Sequence, residues 1–282
     1  MYYEKDGEKL HYIEKGKGKT ILLIHGLGCD HRLMEGCMEP VFSKCGGYRR
    51  IYVDLPGMGK SKVSLNRASS DEILKILSSF IEENLNESFL IAGESYGGYI
   101  SRGILSKFIH SIDGLLLICP VIIPHMRSRK LPEKNEEIRI RKSERDFFKG
   151  FESKSKNDFL SIAVAATESA YRRFEREIAE GMKISDREFI KELRKNYEFS
   201  FDADKEIRQK KFNKPSLFLA GRQDTITGYE DVWEIMQDYG RASYAILDMA
   251  GHNLQIEQPE LFEALVAEWL KRVENETGTG SK

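Results

Sequence analysis

Ser88-Phe89-Leu90-Ile91-Ala92-Gly93-Glu94-Ser95-Tyr96-Gly97-Gly98 is the stretch on which the fold turns. Residues 88–92 are apolar and short enough for a buried strand. Residues 99–109, Tyr99-Ile100-Ser101-Arg102-Gly103-Ile104-Leu105-Ser106-Lys107-Phe108-Ile109, repeat apolar side chains at helical spacing. A strand that bends abruptly into a helix cannot carry side chains on both flanks of the bend. Gly93 and Gly97 leave room there, and Ser95 between them is held up on a strained turn. A serine so placed is an exposed nucleophile, with the amide of Tyr96 beside it at the start of the helix. The plain alternative is a small-residue turn with an incidental serine. The strand before and the helix after favour the nucleophile.

Outward from this turn, strands and helices alternate. Thr20-Ile21-Leu22-Leu23-Ile24 is a buried strand ending at His25-Gly26-Leu27-Gly28. A glycine-flanked loop at the carboxyl end of a buried strand is where α/β sheets bind ligands. His25 and Gly26 are therefore substrate-contact candidates, although a histidine that braces the loop is the better reading of His25. Lys9 to Glu14 alternates like an edge strand. Arg50-Ile51-Tyr52-Val53 leads into Asp54-Leu55-Pro56-Gly57-Met58-Gly59-Lys60-Ser61. Gly59-Lys60-Ser61 ends like a phosphate loop, but Asp54 stands where that loop needs glycine, and no helix follows at once. Asp54 is expected to bond backbone amides of its own turn. A helix with capping residues opens at Ser70, and Leu115 to Ile118 is another buried strand. This rhythm predicts a mostly parallel sheet covered on both faces.

The rhythm breaks near Val121 and resumes near Lys214. Residues 125–214 hold 24 Lys and Arg against 18 Asp and Glu, whereas the whole chain has net charge −1. Helices are expected from Pro132 to Phe148, Lys156 to Glu180 and Asp186 to Phe201, mostly with solvated charged faces. The small apolar segment Ile162 to Tyr171 suits either the underside of a lid or a close helix–helix contact. The expected domains are a core of residues 1–120 and 214–274, a helical insertion of 121–213, and a disordered polar tail of 275–282. Pro215 to Ala220 resumes the sheet and ends at Gly221-Arg222-Gln223-Asp224; Ser243 to Leu247 is the last strand and ends at Asp248-Met249-Ala250-Gly251-His252.

A serine hydroxyl needs a base in hydrogen-bond reach, and the base needs an acid to fix its tautomer. Parallel strands deliver their carboxyl ends to one edge, so Ser95, Asp224 and His252, each following a strand, converge there. Asp248 lies only four residues before His252, and Asp202 and Asp204 lie in the insertion. His11, His31, His110 and His125 lie outside such loops.

The order Ser, Asp, His, together with the five quoted motifs in sequence, closely resembles the α/β-hydrolase superfamily across all of the chain but the insertion. The resemblance implies an α/β-hydrolase fold with a helical cap. It implies Ser95 as nucleophile, His252 as general base and then acid, Asp224 as its partner, and an oxyanion hole from the backbone amides of Leu27 and Tyr96. It implies hydrolysis of a small-molecule carboxylic ester, thioester or amide through an acyl-enzyme. Two rivals use the same machinery. Prolyl aminopeptidases hold a substrate amine with acidic cap residues, a role open to Glu168, although Tyr96 replaces their usual tryptophan. Meta-cleavage C–C hydrolases bind a dienoate with basic groups. Gly-Glu-Ser-Tyr is also similar to serine carboxypeptidases, against which the few cysteines and the lack of a secretion signal argue. A sensor that binds a small molecule with little turnover belongs to a different class.

The remaining totals exclude more than they assign. With net charge −1, no global field favours nucleic acid or a membrane surface. No apolar run is long enough to span a bilayer. Four cysteines (Cys29, Cys37, Cys45, Cys119) suit free thiols in a reducing cytosol, so a cytoplasmic location is expected. No metal-ligand spacing and no organic cofactor loop is present, so neither is expected.

Overall fold

In the computed structural model, residues 1–133 and 144–278 are described. Eight strands build one sheet: β1 (Tyr2–Lys5), β2 (Glu8–Lys15), β3 (Lys19–Ile24), β4 (Tyr48–Val53), β5 (Phe89–Glu94), β6 (Ile112–Ile118), β7 (Ser216–Gly221) and β8 (Ala242–Leu247). Their order across the sheet is β1-β2-β4-β3-β5-β6-β7-β8. β1 and β2 form an antiparallel pair and β2 runs antiparallel to β4; the remaining pairings are parallel. The segment expected as an edge strand is thus second from the edge. β1 covers it, and its residues Tyr2–Lys5 are too polar to announce a strand.

The continuous apolar runs of the inner strands follow from burial on both faces. Leu22, Ile24, Ile91, Leu115 and Leu117 enter one core. Their chain neighbours Ile21, Leu23, Leu90, Leu116 and Ile118 enter the other. The first face is covered by α2 (Ser70–Asn84) and α3 (Tyr96–Phe108), whose Ile73, Leu77, Ile100 and Ile104 pack there. Ser69 caps α2 by accepting from the Glu72 amide at 3.2 Å. The second face is covered by α1 (His31–Phe42) and by the last helix.

The long connection after β6 carries α4 (Arg145–Lys149), α5 (Lys154–Ile162), α6 (Glu168–Phe174), a π-turn at Glu175–Ala179, α7 (Glu180–Ile184), α8 (Arg187–Leu193) and α9 (Ala203–Lys210). α10 (Tyr229–Met236), α11 (Leu254–Glu257) and α12 (Pro259–Thr277) complete the chain. The long helices expected in this connection are broken. Lys156 to Glu180 is interrupted at residues 163–167, where Ala163 is extended and Thr167 caps a fresh helix. Asp186 to Phe201 stops at Leu193. Most of the helix expected from Pro132 to Phe148 lies outside the described residues. The closing helix runs through Thr277, past the expected start of the tail at residue 275.

α1 buries Leu33, Met34, Cys37, Met38, Val41 and Phe42 at helical spacing, and Gly36 and Pro40 lie off that stripe. Proline at position 40 has no N–H to give the carbonyl of Gly36. That carbonyl instead accepts from the Arg173 guanidinium of α6 at 3.2 Å. A Cβ on Gly36 would lie 2.4 Å from the Glu177 carboxyl carbon. The helical connection is thus seated on α1 at a carbonyl that a proline has left free.

Trp269 of α12 is fully buried and its indole N–H donates to the Pro215 carbonyl at 3.0 Å, anchoring the start of β7. Trp269→Ala should cost about 3–5 kcal/mol of stability. Urea unfolding checks this; a midpoint unchanged from the parent would show that α12 does not hold the sheet.

Candidate functional site

Ser95 sits between β5 and α3 at φ 53°, ψ −115°, a left-handed backbone that a non-glycine residue rarely adopts. The turn survives because its neighbours make no demand for space. A Cβ on Gly93 would lie 2.4 Å from the Gly97 carbonyl oxygen, and one on Gly97 would lie 2.2 Å from that of Ile24. The backbone of Ser95 is tied on both sides. Its amide donates to Ile118 at 2.9 Å, and its carbonyl accepts from Gly98 and Val121, each at 3.0 Å.

Three predicted residues meet at the carboxyl edge of the sheet. Ser95 Oγ lies 2.9 Å from His252 Nε2, and His252 Nδ1 lies 2.9 Å from Asp224 Oδ2. Asp224 is itself oriented: Oδ1 accepts from the amides of Ile226 at 2.8 Å and Thr227 at 3.0 Å, and Oδ2 from the Thr227 hydroxyl at 2.7 Å. Burial would raise its acid strength's threshold, but the charge and hydrogen bond of His252, followed by Thr227, hold it below the usual carboxylate range. The other acids stand elsewhere. Asp202 caps α9, Asp204 pairs with Arg102 at 2.8 Å, and Asp248 accepts from Gln223.

The loop after β3 arrives from the opposite side. Gly26 comes so close that a Cβ there would meet Glu94 Oε2 at 2.2 Å and Ser95 Cβ at 3.2 Å. Leu27 and Gly26 line the same cavity as Ser95. The Tyr96 amide is the first of α3, where N–H groups have no partner within the helix. The Tyr96 side chain points away, its hydroxyl 2.8 Å from Ser70 Oγ.

Two substrate-contact candidates are corrected. His25 is fully buried; Nδ1 bonds the Gly26 carbonyl at 2.7 Å and Nε2 accepts from the Leu55 amide at 2.9 Å. It braces two loops and does not line the cavity. Glu168 opens α6, where its carboxylate pairs with Arg172 at 2.6 Å, on the outside of the helix and away from the cavity lining.

The cavity measures about 650 Å³. Leu33, Val121, Ile162, Phe174, Ile178 and Ile226 give it an apolar body, while Glu94, Asp158, Arg129 and Arg194 add charge. Cys29 also lines it, but burial pushes its thiol well above the ordinary range, so it stays protonated.

Two acids carry weight that the sequence did not signal. Glu94 is 2 % exposed, and its Oε1 lies 3.6 Å from His252 Nε2. Burial drives its acid up to about 7, with Asp224 adding to the rise against the pull of His252. Burial alone would lower His252, but Asp224 and then Glu94 carry it up to about 9. Glu257 accepts from the Gly251 amide at 2.6 Å and from the amides of Val164 at 2.5 Å and Ala165 at 3.1 Å. It joins the residue before His252 to the break between α5 and α6. Its position five residues after His252 was the only available clue.

Two groups of potential ligand atoms come together among the described residues: His11, His31 and Asp54, and Cys119, Asp224 and His252. In the first group Asp54 accepts from His11 Nδ1 at 2.8 Å, His31 Nδ1 at 2.7 Å and the amides of His31 and Lys60 at 2.8 Å each. Asp54 thus stabilises its turn as expected, and two histidines with it. The second group contains the Asp224–His252 pair already described.

The chain matches the model of the alpha/beta hydrolase fold family over residues 19–259 and belongs to that family. It is a hydrolase of that fold. It is 23 % identical over 276 residues to a 2-hydroxy-6-oxo-6-(2'-aminophenyl)hexa-2,4-dienoic acid hydrolase of Metapseudomonas resinovorans, covering 94 % of this chain and 89 % of the relative. A pimeloyl-[acyl-carrier protein] methyl ester esterase of Legionella pneumophila (strain Paris) is 21 % identical, with 93 % and 99 % covered. Among solved structures, an alpha/beta superfamily hydrolase from Oenococcus oeni PSU-1 superposes with TM-score 0.81 at 28 % identity, covering 97 % of this chain and 99 % of that one. Among the described residues no helix is long and apolar enough to cross a membrane.

The two carboxylates around His252 make a measurable difference. Its imidazole should titrate near pH 9 in an NMR titration, far above the ordinary 6.5 of a histidine. Glu94→Gln removes one of the two charges that favour the imidazolium, so the midpoint should fall. A midpoint that stays in place would remove Glu94 from the electrostatics of the site.

Proposed function

We propose that this chain hydrolyses a small-molecule carboxylic ester through an acyl-enzyme on Ser95. The observation that carries the reading is the unbroken hydrogen-bonded run Ser95–His252–Asp224 opening onto a largely apolar cavity. Ser95 Oγ attacks the acyl carbon while His252 Nε2 takes its proton. Asp224 holds the tautomer and favours the imidazolium that forms. His252 then gives the proton to the leaving alkoxide, and water repeats the sequence on the acyl-enzyme. The amides of Leu27 and Tyr96 stabilise the oxyanion, each by about 3 kcal/mol. The helical connection acts as a cap over an acyl pocket of Leu33, Ile162, Phe174 and Ile178. No step calls for a metal or an organic cofactor.

A second reading is hydrolysis of a C–C bond beside a carbonyl. The dienoic acid hydrolase among the relatives and Arg194 in the cavity lining favour it. The aminopeptidase reading loses the residue that carried it, since Glu168 is paired with Arg172 away from the cavity.

A fluorophosphonate should label Ser95, and 4-nitrophenyl esters of increasing acyl length should be turned over. Ser95→Ala should abolish both while leaving the melting temperature within a few degrees. Labelling that persists in that variant would sink the assignment; a parent that neither labels nor turns over would favour the non-catalytic sensor. Glu257→Gln places an amide N–H against amide donors that need an acceptor, which typically costs about 1–3 kcal/mol. In stopped assays with 4-nitrophenyl butyrate it should lower kcat by roughly ten- to a hundred-fold with a smaller change in KM. Equal kcat in variant and parent would show that His252 does not depend on this anchor.

A further inference from the structure

Glu94 is the group that the proposed reaction does not use. Its side chain is almost wholly buried, yet it belongs to the cavity lining. A buried carboxylate needs a charge partner or several hydrogen bonds to offset its lost hydration. Glu94 takes a backbone hydrogen bond at Gly26, and its ion-pair partner, His252 Nε2, stands at 3.6 Å, beyond good hydrogen-bond length. That nitrogen is engaged at 2.9 Å by Ser95 Oγ. The other cavity cations do not relieve it. Arg129 is bound by the carbonyls of Ile123 at 2.8 Å, Ile226 at 2.7 Å and Pro124 at 3.0 Å. Arg194 lines the cavity from an exposed position at the end of α8. His125 in the lining pairs with Glu198 at 3.1 Å, Cys29 is a neutral thiol, and the nearby acids are Asp224 beneath His252 and Asp158 on α5.

We propose that Glu94 is a subsite for a substrate ammonium group carried next to the scissile carbonyl. The placement follows from the chain: Glu94 directly precedes Ser95, and both reach the same nitrogen of His252. An ammonium held there supplies Glu94 with a cation at contact distance, which neither Arg129 nor Arg194 does. It also sits beside His252, and a second positive charge there favours release of the imidazole proton. The cation thus binds and, in binding, frees the base. The pocket so defined takes α-amino acyl esters ahead of neutral ones. This deepens the ester reading and rests on it for turnover.

The test compares three benzyl esters of nearly equal shape at pH 7: those of alanine, of isobutyric acid, and the monobenzyl ester of methylmalonic acid. They differ in one α substituent, which is ammonium, methyl or carboxylate. An α-amino group titrates near ~8, so the alanine ester is charged at this pH. In the parent, kcat/KM for alanine should exceed that for isobutyrate by about tenfold or more, the worth of one charge-assisted contact. In Glu94→Gln that ratio should fall to near one. A ratio that the substitution leaves unmoved overturns the proposal, as does a parent that prefers the methylmalonate ester. Calorimetric titration with isopropylammonium reads the subsite without turnover: binding to the parent and at least tenfold weaker binding to Glu94→Gln is expected. Equal binding by both proteins overturns the subsite. Binding without any ester turnover would leave the subsite standing and remove the esterase reading instead.

Discussion

A single residue in a left-handed backbone organises this molecule. Ser95 at φ 53° carries a strain of about 1–3 kcal/mol, and the surrounding structure must hold it there. Two parallel neighbours do so through the backbone. β6 supplies the Ile118 carbonyl, and the chain just beyond it supplies the Val121 amide. β3 passes so close to Gly97 that no side chain fits between them. The sheet order follows from the same need. β5 lies between β3 and β6, so the loops that leave those strands flank the serine on either side.

Electrostatics then decide what the turn can do. Asp224 and Glu94 approach His252 on opposite ring nitrogens, one at hydrogen-bond distance and one slightly beyond it. The nearer acid orients the ring, and the farther one adds field without fixing geometry. Asp54 shows the contrast. It is as buried as Glu94, but four donors surround it, so its charge is satisfied locally and serves to hold the loops that carry those donors. Burial of a carboxylate therefore has two outcomes in one protein, and the number of donors around it separates them.

The sheet and the candidate site residues were legible because both leave strong local traces. Inner strands read as unbroken apolar runs, and Ser95, Asp224 and His252 each follow one. Glycines at positions 93 and 97 mark a bend that admits no side chain. Less legible was whatever depended on distant partners. α1 keeps its apolar residues at helical spacing, but Gly36 and Pro40 within it argue locally against a helix. β1 was too polar to stand out. The insertion read as long charged helices, yet it is broken where Glu257, nearly a hundred residues away, accepts the amides of Val164 and Ala165. Glu168 looked available because its pairing with Arg172 is a surface matter, and Glu94 looked incidental because its burial comes from other loops.

The carbonyl that Pro40 leaves free bears on how this scaffold can be re-equipped. Arg173 grips the carbonyls of Gly36 and Gln255, and Glu257 grips the amides of Val164 and Ala165. Each of these contacts ends on main chain, which is the same whatever side chains surround it. An exchanged insertion therefore has to present one arginine and two unpaired amides in register in order to dock. Its positions facing the cavity stay open to change, so selectivity can be rewritten in this chain without disturbing how the two parts meet.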